Sequence, residues 1–102
     1  MYRDCESYSI VKKILLESTL KNIALKWQED DNILIVMSCE KKLYFLNEVA
    51  KDFLLLCTDK KFSDIVDELC AIYDVEKNLL ADDLIDVIQD LQYKRILRVE
   101  AA

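Results

Sequence analysis

Three short strand-like runs followed by three helical ones, all within 102 residues, predict an α+β domain of the winged helix-turn-helix type. Its expected plan is a three-stranded antiparallel sheet followed by three helices, with an N-terminal arm or short helix in front. Two observations carry this expectation. Apolar residues fall into short or alternating runs up to Leu46 and take helical spacing beyond it. Only short polar breaks separate the runs, with no repeat, low-complexity segment or linker among them. One domain is therefore expected over residues 23–99, with residues 1–22 as the arm or short helix.

Each element rests on its own residues. Ile10, Val11, Ile14 and Leu15 set against Lys12, Lys13 and Glu17 fit a short amphipathic helix over Tyr8 to Leu20, weakened by Ser18-Thr19. Ile23 to Gln28 alternates in part, with Ile23, Leu25 and Trp27 on one side. Glu29-Asp30-Asp31-Asn32 makes a polar turn in which Asp and Asn tolerate positive φ. Ile33 to Met37 is continuously apolar, as expected of a strand covered on both faces. Ser38-Cys39-Glu40-Lys41 turns the chain into a third strand, Lys42 to Leu46, completing an antiparallel meander.

Asn47 is a favoured helix N-cap, and Glu48 behind it complements the helix dipole. The helix it opens, to about Cys57, has little polar face and should be the most buried element. Thr58-Asp59-Lys60-Lys61 is the polar break. Ile65, Val66, Leu69, Ile72 and Tyr73 mark a second helix over about Ser63 to Tyr73. The last helix, about Leu80 to Lys94, has a core stripe of Leu84, Val87, Ile88 and Leu91. Asp82, Asp83, Asp86 and Asp90 crowd its opposite side, while Ile85 sits at the stripe's edge in register with Gln89 and Gln92. Ile96 to Val99 reads as a short final strand.

Composition removes several function classes. The net charge is −6, whereas nucleic-acid binders draw most of their affinity from Lys and Arg on phosphates. There is no His, so the commonest general base and mixed-zinc ligand is missing. Cys5, Cys39, Cys57 and Cys70 form no C-x-x-C pair; buried free thiols are expected for the helical ones, with no metal and no disulfide. Gly and Pro are absent, so glycine-rich phosphate loops cannot exist and every turn must use Asn, Asp, Lys or Ser. No apolar run approaches the roughly 20 residues of a membrane span, and Met1-Tyr2-Arg3-Asp4 lacks the layout of a secretion signal. No membrane partner, no cofactor, no catalytic group and a cytoplasmic location are expected.

One order of residues is more specific. A strand ending Leu46-Asn47-x-x-Ala50, a helix, a polar break, Ile65-Val66-x-x-Leu69, then Asp83-Leu84-x-x-Val87-Ile88-x-x-Leu91 and a closing Ile96-Leu97 resembles the PqqD-like family. The resemblance spans about Ile23 to Val99. It implies the leader-recognition element of ribosomally made, modified peptides, in which a precursor's leader adds as a strand to the third strand and packs on the third helix. The implied client is a modifying enzyme, often a radical SAM protein. The sequence departs from the family pattern in its turns: Lys60 follows Asp59 where Gly is common, the Thr or Ser that often caps the second helix near Lys61 is missing so that Ser63 is expected to cap it later, and Arg95 replaces the Gly that ends the last helix.

Combined with that resemblance, the residues assign a peptide-binding set of Lys42, Leu43, Tyr44, Phe45, Ile85, Ile88, Gln89 and Gln92. Leu43 and Phe45 point to one face of the third strand and Tyr44 and Leu46 to the other, both apolar. One face therefore needs a cover, which the N-terminal arm, a peptide or a second copy in a homodimer could supply. A winged-helix DNA-binding regulator is the alternative from another class, opposed by the acidic last helix.

Overall fold

The computed structural model describes residues 6–101; Cys5 and the N-terminal Met1 to Asp4 lie outside them. The elements run α1 (Glu6–Glu17), β1 (Thr19–Asn22), β2 (Lys26–Asp30), β3 (Ile33–Met37), β4 (Leu43–Leu46), α2 (Glu48–Leu55), β5 (Thr58–Lys61), α3 (Phe62–Tyr73), α4 (Lys77–Tyr93) and β6 (Leu97–Glu100). The expected meander is present as β2–β3–β4, antiparallel throughout, but its first strand lies at Lys26–Asp30 rather than Ile23 to Gln28, and Glu29 and Asp30, expected in the turn, pair with Leu34 and Ile33. Three helices follow it.

In a second sheet, β5–β1–β6, only β6 matches an expected element, the short final strand over Ile96 to Val99. Thr19 and Leu20, expected at the end of a helix, instead begin β1, the central strand of that sheet. The supposed polar break is β5. The end of α1 at Glu17 has a local cause: the buried Ser18 hydroxyl donates to the Ile14 carbonyl at 2.8 Å and competes with the next backbone bond. Residues 6–22 are thereby tied into the body of the domain. The α1 face that packs carries Tyr8, Leu15 and Leu16, whereas Ile10 and Ile14 are exposed. Asp82, expected on a solvent face of α4, accepts from the Tyr8 hydroxyl at 2.6 Å and pairs with Lys12 at 2.9 Å.

The core is one cluster between the helices and the inner sheet faces, with Leu20, Leu34, Val36, Phe53, Leu54, Phe62, Leu69 and Leu84 fully buried. Phe53 of α2 meets Phe62 of α3 edge to face, their centroids 6.2 Å apart, which is the favoured arrangement of ring quadrupoles. Asn47 caps α2 as expected, its Oδ1 accepting from the Ala50 N–H at 2.9 Å. Ser63 does not cap α3: the helix begins one residue earlier, at Phe62, and Lys61 is its N-cap without a side-chain bond. β3 is covered on one face only. Leu34 and Val36 are buried, but Ile35 and Met37 are half-buried and Ile33 is exposed.

Residues other than glycine take the left-handed region, Asp31, Lys41, Asp74 and Arg95 at turns and helix ends and Asp59 at the irregularity in the β5–β1 ladder, all with φ between 52° and 64°. Arg95 is an exception to the expectation that Asn, Asp, Lys or Ser make every turn. The end of α4 closes as it would with glycine. The Arg95 N–H donates to the Gln92 carbonyl at 3.0 Å and the Ile96 N–H to the Leu91 carbonyl at 2.9 Å. That pair of bonds is a Schellman motif, and buried Leu91 and Ile96 are its apolar members.

Candidate functional site

β4 is the outer border of the β2–β3–β4 sheet. In its ladder with β3, Leu46 lies opposite Leu34, Phe45 opposite Ile35, Tyr44 opposite Val36 and Leu43 opposite Met37. The Ser38 N–H donates to the Lys42 carbonyl at 2.9 Å where the hairpin begins. Bonded and non-bonded pairs alternate along an antiparallel ladder, so Lys42, Tyr44 and Leu46 turn their main-chain groups towards β3. Leu43 and Phe45 turn theirs outward, and no other strand among the described residues pairs with them. Outward groups spaced two residues apart are what an added strand requires.

Side chains strengthen the contrast. Leu46 is buried and Tyr44 half-buried, while Leu43 is 57% and Phe45 68% exposed. In register with Ile35 and Met37, these two leave an apolar sheet face open beside the free edge. Lys42 is exposed at the start of the strand.

On the other side of β4 lies a hollow of about 330 Å³ between the strand and α4. Phe45, Leu46 and Val49 form one wall; Asp86, Val87, Asp90 and Lys94 form the other. Lys94 joins the two. Its ammonium pairs with Asp90 at 2.8 Å and stands 5.0 Å from the centre of the Tyr44 ring, a cation–π contact linking the end of α4 to β4. Asp86 and Asp90 make this wall rich in carboxylates.

The α4 residues assigned from sequence sit elsewhere. Ile85 is 1% and Ile88 0% exposed, both in the core. α4 packs on β6 and is bonded by α1 as well as facing the other helices, so its buried arc is wider than the single stripe assumed. Gln89 lies about 160° around the helix from Val87, and Gln92 lines a separate hollow with Ile23, Arg95 and Leu97. Val87, expected in the core stripe, is only partly buried and faces the groove. The structure brings Lys42 to Phe45 to the free edge but does not bring Ile85, Ile88, Gln89 and Gln92 beside them. The overlooked signal was Asp86, Asp90 and Lys94 at helical spacing around Val87, which reads as a solvated face until β4 is placed against it.

Cys57 is a buried thiol rather than an activated one. Burial raises the Cys57 thiol from its ordinary 9.0 to about 12, so it stays protonated, and its Sγ–H donates to the Phe53 carbonyl at 3.3 Å. Among the described residues no group of three or more His, Cys, Asp or Glu side chains is placed to hold a metal ion.

The family model for coenzyme PQQ synthesis protein D (PqqD) matches residues 34–97, more than half of the chain. The chain belongs to the PqqD family. The matched stretch contains β4, α2 and α4, and with them the whole groove. Among solved structures, this PqqD-family chain is similar to TbiB1 in complex with the TbiA(beta) leader peptide, with a TM-score of 0.68 over 78% of this chain and 94% of that one. At 22% identity, the likeness is one of fold. No curated protein matches the sequence.

Proposed function

We propose that this PqqD-family chain captures the leader segment of a ribosomally synthesised precursor peptide as an added strand on β4 and presents the precursor to a modifying enzyme. The observation that carries the reading is the outer edge of β4, unpaired among the described residues, with Leu43 and Phe45 bare and a carboxylate-rich, apolar-floored groove alongside. Family membership supports it, as does the fold shared with TbiB1, whose structure contains a leader peptide.

In this reading Lys42, Leu43, Tyr44 and Phe45 supply the edge. The α4 wall passes to Asp86, Val87, Asp90 and Lys94, with Ile85 and Ile88 behind it as core support. Main-chain bonds to Leu43 and Phe45 give affinity in any register; the groove selects an apolar side chain, and the carboxylates select a basic neighbour. The chain acts as a non-catalytic partner in the cytoplasm, and its client is a modifying enzyme of the kind the family resemblance implies, often a radical SAM protein and in other systems a cyclising enzyme, a protease or a nitroreductase-like enzyme. Among the described residues no helix is long and apolar enough to cross a membrane.

Fluorescence anisotropy with a labelled synthetic leader from a co-encoded precursor tests the proposal. Phe45→Glu is expected to weaken binding at least about tenfold, roughly 1.4 kcal/mol. Amide shifts in residues 42–47 and 86–94 should accompany binding. Unchanged affinity in Phe45→Glu, or shifts confined to other elements, would overturn the groove.

A further inference from the structure

The groove does not end at Val49. On the far side of that residue, towards the turn between α3 and α4, lies a second hollow of about 360 Å³ lined by Val49, Tyr73, Val75, Leu79, Leu80 and Asp83. Leu79 is 61% exposed, and Val49 and Val75 are exposed as well. Single apolar side chains on a surface need no account, but three around one concavity do.

The rim is acidic. Asp83 lines the hollow, and the Tyr73 hydroxyl donates to Asp52. Glu48 precedes Val49, and Asp74 and Glu76 flank Val75. Of the two cations nearest in sequence, Lys77 is held by Asp67 at 2.7 Å and Lys51 donates to the Asp31 carbonyl at 3.3 Å. An apolar floor inside an anionic rim fits an apolar side chain with a basic neighbour.

Two features make the hollow continuous with the groove on β4. Val49 lines both. Asp83 of the second hollow and Asp86 and Val87 of the first also follow one another at one-turn spacing on α4, so one acidic face of that helix serves both. From the Leu79–Asp83 stretch to the Val87–Asp90 stretch is about 11 Å along the helix, which an extended peptide covers in three or four residues.

Resting on the strand-addition reading, we infer that this hollow is a second subsite for the same guest peptide. It takes an apolar side chain three or four residues from the one seated beside Phe45 and Val87, accompanied by Lys or Arg. The stretch that is read is therefore longer than the paired strand. A side-chain-sized cavity in line with the groove suits a continuing peptide better than the broad face of a docked enzyme.

The test uses the full chain and 12-residue peptides selected from a random display library, synthesised with a fluorophore. Most selected peptides should carry two apolar residues three or four apart with a basic neighbour. Leu79→Gln and Val75→Ser alter exposed positions, and circular dichroism reports whether each variant folds. Each is expected to weaken the full peptide about tenfold and to leave unchanged a peptide truncated to its strand-pairing half. Phe45→Glu should abolish binding of both.

If Phe45→Glu abolishes binding while Leu79→Gln and Val75→Ser bind as tightly as the parent, the second subsite falls and the groove stands. If Leu79→Gln abolishes binding and Phe45→Glu does not, the strand-addition reading falls, and with it this inference. Selection that yields no peptide overturns both. If Leu79→Gln leaves every peptide unaffected but prevents association with a modifying enzyme, the hollow is an enzyme dock and the inference is overturned.

Discussion

Cys57 and Tyr73 hold their protons more tightly in the folded chain than in the unfolded one, and the cause differs between them. Burial alone raises the Cys57 thiol. For Tyr73, desolvation leads, followed by the hydrogen bond to Asp52 and the charges of Asp52 and Glu48, and together they raise it from 10.0 to about 12. A pKa raised by folding contributes stability that is complete below the unfolded value and lost as pH climbs through the folded one. Urea denaturation is therefore expected to show constant stability to about pH 9 and a fall between there and pH 12, from these two groups. Tyr73→Phe should remove the part of the fall that sets in above pH 10 and leave the part due to Cys57. Two turn residues give a second pair of expectations. Asn47→Ala should cost about 1 kcal/mol through the lost cap. Arg95→Gly should gain roughly 1 kcal/mol, because a non-glycine residue pays for its left-handed backbone at a helix end. Both are readable as shifts in the urea midpoint.

Among the elements, those legible in the sequence had strong periods or caps of their own. β3, with five apolar residues in a row, and α2, announced by Asn47, were placed almost to the residue. β1 (Thr-Leu-Lys-Asn) and β5 (Thr-Asp-Lys-Lys) were not, because four polar-rich residues carry no alternation to detect. Their strand state comes from pairing across the chain, with Leu20 as the one fully buried anchor. The groove was half legible for a related reason. The edge of β4 follows from strand order, but the α4 wall depends on which side of the helix meets the sheets, and the unseen second sheet shifts that arc. Ile85, expected at the edge of the stripe, lies in the core beside Ile88, and Asp86 and Asp90 are left beside β4. Packing between elements makes its own prediction. Phe53 sits at the junction of α2 and α3 against Phe62, so Phe53→Ala should lose about 3–5 kcal/mol. The loss should appear in chemical denaturation with little change in slope.

For the whole molecule, charge separates readers of peptides from readers of nucleic acid. A net charge of −6, with Asp83, Asp86 and Asp90 on one face of α4, repels phosphate and attracts a cationic guest. Raising salt from 50 to 500 mM shortens the screening length to a few ångströms. Binding of a guest that carries Lys or Arg should then weaken several-fold, chiefly through slower association, as stopped-flow fluorescence would report. An uncharged guest of the same apolar pattern should be nearly indifferent to salt. Duplex DNA should not be retained at either concentration.

The pairing of β1 with β6 has a temporal meaning. Thr19 waits for Glu100 and Asn22 for Leu97, contacts that span almost the full sequence, whereas β2, β3 and β4 find each other through tight local hairpins. Loops that long close late. While the chain is being made, the receptive border of β4 can thus exist before the body behind it is locked. A precursor peptide synthesised nearby would then meet a partly finished host, one already able to offer it a strand to lie against.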